Sequence, residues 1–161
     1  MLEQTDCLRY LARMGVSVAR EEDPAASRRL LQALTVRLPG WFAQPHSNKH
    51  YAEQAEILES WSARLDGSAQ GLLLLKRHSA VSAEIYWLAV DPAHHRQGIG
   101  RALIAAIEGR LKQDRLKYLF VTTLHPDDPY EPYRRTRAFY ERLGFELVLS
   151  REPLAYYLKP L

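Results

Sequence analysis

The sequence predicts an α/β (α+β) fold: a mixed, mainly antiparallel sheet of about six to seven strands flanked by helices. Three observations lead there. Asp66-Gly67 separates two β-runs and is a strong hairpin signal. Segments with apolar residues three and four apart alternate with segments rich in β-branched and aromatic residues. A chain of 161 residues that is 47% hydrophobic has enough apolar material for one substantial core, so one domain is expected over residues 1–161.

The elements follow in order. Leu8, Leu11 and Met14 recur three apart and suggest a leading helix from Asp6 to Met14, followed by a strand around Val16–Ala19. Asp23-Pro24 opens the next helix, with Asp as N-cap and Pro at the first position; Leu30, Leu31 and Leu34 form its buried stripe, and it ends before Pro39-Gly40. Trp41 to Asn48 reads as a loop leading to a helix at Lys49–Leu58. Strands are expected at Ser60–Leu65 and Ala69–Arg77 around the hairpin. After a turn at His78-Ser79-Ala80 comes Ser82–Val90, where Ile85, Trp87 and Ala89 alternate with Glu84, Tyr86 and Leu88. Ile99, Leu103, Ile107 and Leu111 then mark an amphipathic helix. A strand at Tyr118–Leu124, a proline-rich loop from His125 to Pro132, a helix at Tyr133–Leu143 stopped by Gly144, and strands at Phe145–Arg151 and Leu154–Leu158 complete the chain.

Composition narrows the function. The formal charge is +3, with 22 Lys+Arg interspersed among 19 Asp+Glu, which gives nucleic-acid binding no compositional support. A mild positive balance suits a ligand carrying several phosphates. The lone Cys7 forms no intrachain disulfide, and no stretch approaches the roughly 20 apolar residues of a membrane span; the expectation is a cytoplasmic protein with no membrane partner. His94 and His95 are adjacent on a loop and lack chelating spacing, so no metal is expected.

The chemistry concentrates at Ala89-Val90-Asp91-Pro92-Ala93-His94-His95-Arg96-Gln97-Gly98-Ile99-Gly100-Arg101-Ala102, where a strand ends, a loop turns and a helix begins. The first amides of a helix have no internal partner and carry the positive end of its dipole, so they suit a diphosphate. Gly98 and Gly100 keep side chains out of its approach, and Arg96 and Arg101 add charge-assisted contacts. The frame His95-Arg96-Gln97-Gly98-Ile99-Gly100 resembles the acyl-CoA signature [RQ]-x-x-G-x-[GA] of the GNAT superfamily, the GCN5-related N-acetyltransferases, with His in place of Arg or Gln at the first position. Thr136-Arg137-Ala138-Phe139-Tyr140-Glu141-Arg142-Leu143-Gly144-Phe145 is similar to the F-Y-x-x-x-G-F element that ends many such domains. The resemblance covers about residues 66–158, and residues 1–60 correspond to the acceptor side.

That resemblance implies acetyl-CoA as donor, a primary amine of a small molecule or peptide as acceptor, and direct transfer in a ternary complex. It implies that strands Ser82–Val90 and Tyr118–Leu124 run parallel and splay to admit coenzyme A. The ligand-holding residues implied are Leu88, Ala89, Val90, His95, Arg96, Gln97, Gly98, Ile99, Gly100, Arg101, Ala102, Thr136 and Arg137. Backbone donation from His95 is expected to survive its change of side chain. Tyr140 is the candidate acid for the leaving thiolate, or else core packing with Phe139 and Leu143. Glu84, within Ala83-Glu84-Ile85, is the candidate base, directly or through water; amine binding and a solvated face are its alternatives, and His125 is a second candidate base, although Pro126 beside it favours a plain turn. Tyr133, Arg134, Arg135 and Arg137 either line the adenosine-phosphate end or form a solvated face. Trp41-Phe42 are the first candidates for acceptor contacts. The acidic Asp127-Asp128 hints at a cationic acceptor, and the resemblance admits a homodimer. The rival reading is a non-catalytic acyl-CoA-binding or regulatory module.

Overall fold

The computed structural model describes residue 9 and residues 12–161. Most of the expected helix from Asp6 to Met14, with Cys7, lies outside the described residues. The elements are β1 (Val16–Glu21), α1 (Pro24–Arg37), α2 (Pro45–Gln54), β2 (Glu59–Leu65), β3 (Ser68–Arg77), β4 (Ser82–Val90), α3 (Ile99–Gln113), β5 (Tyr118–Leu124), α4 (Glu131–Arg142), β6 (Glu146–Arg151) and β7 (Leu154–Pro160). The strands form one seven-stranded sheet in the order β1-β2-β3-β4-β5-β7-β6, and β4–β5 is its parallel pair.

Local chemistry accounts for the helix starts. Asp23 caps α1 by accepting the Ala25 N–H at 2.9 Å, with Pro24 leading the first turn. Pro45 and Pro132 do the same for α2 and α4, so α2 begins at Pro45 rather than Lys49 and α4 at Glu131 rather than Tyr133. Proline lacks an N–H, and the first turn of a helix needs none there. The expected loops around both prolines are therefore shorter. α2 also stops at Gln54, four residues before the expected Leu58.

Two cores sandwich the sheet. On one face α3 lays Ile99, Leu103, Ile107 and Leu111 against Leu73, Ile85, Leu119 and Val121, joined by Tyr140 and Phe145. On the other, Leu31, Leu34 and Leu38 of the α1 region pack with Leu72, Leu74, Trp87 and Ala89. Each fully buried leucine contributes about 1.5–3 kcal/mol relative to exposure. Gly71 sets the depth of α3: a Cβ there would meet Ile99 and Leu103 at 3.1 Å, so its absence lets the first turn of α3 lie on the sheet beside the end of β4.

Strand β4 departs from simple alternation. Trp87 pairs with Leu74 and Ile85 with Leu75, leaving Tyr86 as the extra residue of a bulge. An added residue reverses the faces beyond it. Ala83 and Ile85 accordingly belong to the α3 core, while Trp87 and Ala89 belong to the α1 core and Leu88 and Val90 turn to the α3 side.

Candidate active site

The bulge has a second effect. β4 and β5 pair in parallel only from Ser82↔Tyr118 to Ile85↔Val121. Past Ile85 the edge of β4 that faces β5 has no strand partner among the described residues, and a cleft of about 520 Å³ opens between the two strands. Main chain left unpaired beside a cleft is a template for an extended ligand. Leu88, Ala89 and Val90 all line it.

At the end of β4 the chain turns through a 3-10 segment, Pro92–His94, and enters α3. Asp91 fixes the turn: Oδ1 accepts the Ala93 N–H at 2.9 Å, and Oδ2 pairs with Arg37 at the end of α1. Burial alone would raise the Asp91 carboxyl, but the Ala93 N–H and the Arg37 guanidinium outweigh it and hold it below the ordinary value. The His95 N–H donates to Pro92 O, and the His95 ring donates Nε2–H to Val90 O at 2.8 Å. From Arg96 to Arg101 the backbone amides find no acceptor among the described residues. Gly98, with φ 83°, is the left-handed N-cap that aims this run, and Arg96 also has positive φ at 63°. The bare amides thus begin one residue after His95, whose N–H is already used. Ile99 and Ala102 turn their side chains into the core; the Ile99 amide stays in the bare run, whereas the Ala102 N–H donates to Gly98 O at 2.9 Å and is not available to a ligand. Gly100 lies under Phe139, where a Cβ would come within 3.2 Å of the ring.

Among the described residues the cleft is lined by three arginines, Arg96, Arg135 and Arg142, and by no carboxylate. With the bare amides, this donor set fits a diphosphate-bearing ligand. Trp41 joins the two walls. Its Nε1–H donates to Thr136 Oγ1 at 3.0 Å and Pro132 O at 3.2 Å, its carbonyl accepts from Tyr133 at 3.1 Å, and its ring meets His95 edge-on at 6.4 Å. Phe42 stacks on Trp87 at 5.1 Å on the α1 side of the cleft.

The expected chemical residues fall in different places. Tyr140 lines the cleft from α4, buried between Phe139 and Phe145, and desolvation pushes its phenol far above its ordinary value. It therefore keeps its proton at neutral pH. Glu84 is not among the lining residues: Oε1 accepts from Thr122 at 3.3 Å and Oε2 from His78 Nε2 at 2.7 Å. Arg137 is also turned away. Only 6% exposed, its guanidinium donates to the carbonyls of Leu124, His125, Pro126 and Asp128 and clamps the β5–α4 loop. Thr136 does line the cleft, with its hydroxyl donated to Pro132 O. His125 lies off the lining and uses Nδ1 to accept the Asp127 N–H. Arg134 pairs with Glu131 on the exposed face of α4. Sequence reasoning missed Thr122, His78 and Arg142; the six-residue step from His78 to Glu84 across the β3–β4 turn was the available signal for one of them.

Residues 56–147, more than half of the chain, match the family model of the acetyltransferase (GNAT) domain. The chain belongs to the GNAT family of acetyltransferases, and at this level its activity is acyl transfer. No curated protein matches the sequence significantly. Among solved structures, the chain is similar to a GNAT-family protein from Desulfovibrio desulfuricans, at TM-score 0.74 and 22% identity over 91% of this chain and 98% of that one. It is similar to the ribosomal-protein-S18-alanine N-acetyltransferase of Escherichia coli, at TM-score 0.70 and 21% identity over 90% and 93%. It is also similar to PaiA N-acetyltransferase of Thermoplasma acidophilum, solved in complex with coenzyme A, at TM-score 0.70 and 14% identity over 90% and 99%. At these identities the likeness establishes the fold. No described helix is long and apolar enough to cross a membrane.

Proposed function

We propose that this protein transfers an acetyl group from acetyl-CoA to a primary amine of a small molecule or peptide, with both substrates held in the cleft at once. The observation that carries this reading is the run of unpartnered amides from Arg96 to Arg101, of which Arg96 and Gly100 line a cleft bounded by unpaired β4 main chain. The amides and Arg96 would hold the diphosphate, and Leu88 to Val90 the extended arm. Bound there, the donor supplies an activated acyl carbon. Tyr140 holds a proton at its hydroxyl for the departing sulfur, and Glu84 serves as the base for the amine. The acceptor enters past Phe42, Tyr51 and Tyr86; a lining without carboxylates favours an amine on an apolar or neutral body over a polycation. Asp127 holds its carboxylate in solvent and Asp128 Oδ1 accepts the Tyr130 N–H, and neither lines this wall.

A screen of amines that follows release of the free thiol tests the reading, repeated with Glu84→Gln and Tyr140→Phe. Turnover of at least one amine, lowered in both variants, is expected. Tight acetyl-CoA binding with no turnover of any amine would replace the enzyme with a binding module.

The proposal includes a cytoplasmic setting and a homodimer formed along β6. All six residues of that edge strand are exposed, with Leu147, Val148 and Leu149 at its centre. Antiparallel pairing about a two-fold axis sets the Glu146 end of one strand beside the Arg151 end of the other. A purely monomeric sedimentation profile would remove the dimer.

A further inference from the structure

Glu84 stands behind the cleft wall rather than on it. Its carboxylate is only 14% exposed and touches the cleft through Thr122, which lines the wall and donates Oγ1–H to Glu84 Oε1 at 3.3 Å. The other oxygen is occupied by His78, which donates Nε2–H at 2.7 Å from the β3–β4 turn while its ring rests on Phe120 at 5.2 Å. His78 is 36% exposed at the outer end of this row.

Resting on the acetyl-transfer reading, we propose that Thr122 is the residue that takes the proton from the acceptor amine, passing its own to Glu84, and that His78 is the positioning residue that fixes the carboxylate for this exchange. The step balances. The ammonium N–H bond breaks as a new O–H forms at Thr122 Oγ1, and the former Thr122 proton bonds to Glu84 Oε1. The amine becomes neutral with its lone pair free, and Glu84 becomes a neutral acid that later returns the proton to solvent. His78 keeps Oε2 engaged, so Oε1 is left as the accepting atom.

The other groups facing Glu84 do not take over this role. Lys76 is its cross-strand neighbour on β3 and lies over the Tyr86 ring at 5.3 Å, with no ion pair to Glu84. Phe120 is its neighbour on β5. Tyr51 from α2 is held protonated by burial and by the Glu84 charge, and Tyr86 by burial, Tyr51 and the Glu84 charge. Tyr86 is paired with His50 at 2.8 Å.

The test uses kcat with the best amine and acetyl-CoA affinities measured in parallel. Thr122→Val is expected to lower kcat roughly 100-fold with acetyl-CoA affinity unchanged, and Thr122→Ser to restore most of it. His78→Leu leaves Oε2 free and is expected to lower kcat roughly 10-fold with acetyl-CoA affinity unchanged, and His78→Gln, which still donates, to restore most of it. Full kcat in Thr122→Val, or in His78→Leu, would overturn the proposal. A parent protein that turns over no amine would instead remove the reading on which it rests.

Discussion

Ile85 and Val121 are the last residues through which β4 and β5 pair, and the cleft begins beyond them. The Tyr86 bulge on the following residue turns Trp87 and Ala89 toward α1 and Leu88 and Val90 toward α3. One added residue therefore builds both walls: an aromatic one on the α1 side and a backbone one leading to the amides of α3. The functional reading follows from that geometry.

Gly98 adopts φ 83°, where a side chain costs about 1–2 kcal/mol. Gly98→Ala is expected to lower stability by that amount and to weaken acetyl-CoA binding roughly 10-fold, corresponding to about 1.4 kcal/mol. Denaturant titration and calorimetry separate the two effects. Unchanged acetyl-CoA affinity would mean that the turn does not meet the diphosphate.

Under the proposed mechanism, Tyr140→Phe removes the proton held for the leaving sulfur. The expected result is a kcat lower by roughly 100-fold with little change in the KM for acetyl-CoA. The same phenol affects stability at alkaline pH. Burial raises it above the ordinary 10.0, so the folded state keeps a proton that the unfolded chain loses. Stability should therefore be undiminished below about pH 10 and fall as pH rises above it, less steeply in Tyr140→Phe. Thermal melts across pH 8 to about 11 check this.

Asp91 shows the opposite sign. Its folded carboxyl lies below the ordinary 3.8, so it stabilises the fold above that pH, and the contribution disappears as acid protonates the folded form. Arg37→Ala should cost about 1 kcal/mol at neutral pH, the low end for stripping a partner from a buried charge, because Arg37 is 60% exposed and solvent screens it. Acid melts of the variant should show a smaller loss below that pH than the parent.

Arg137→Met tests a clamp against a ligand contact. Four loop carbonyls lose a donor, and the expected destabilisation is about 1–3 kcal/mol with acetyl-CoA affinity unchanged. A large loss of affinity without a loss of stability would return Arg137 to the ligand.

How much was legible beforehand depended on how local the signal was. The cradle was legible because a glycine-bearing turn into an apolar helix is specified within a few residues, and the Asp66-Gly67 hairpin for the same reason. The proline starts of α2 and α4 were misplaced because a proline between polar residues reads equally as loop and as first helical turn. The Tyr86 bulge left no mark in the alternation of Ser82–Val90, since it is defined by its partner strand β3. Arg137 carried a motif position but not its environment: only the folded β5–α4 loop brings four carbonyls around its guanidinium. Glu84 stands out in its strand as a carboxylate among apolar and aromatic neighbours, whereas its separation from the cleft by Thr122 depends on β5 lying alongside.

Amide chemical shifts recorded during an acetyl-CoA titration test the central claim most directly. The account predicts that the amides from Arg96 to Arg101 move most, accompanied by Leu88 to Val90, with saturation at one donor per chain. Saturable binding that leaves those amides unmoved, with shifts gathered elsewhere on the protein, would contradict it.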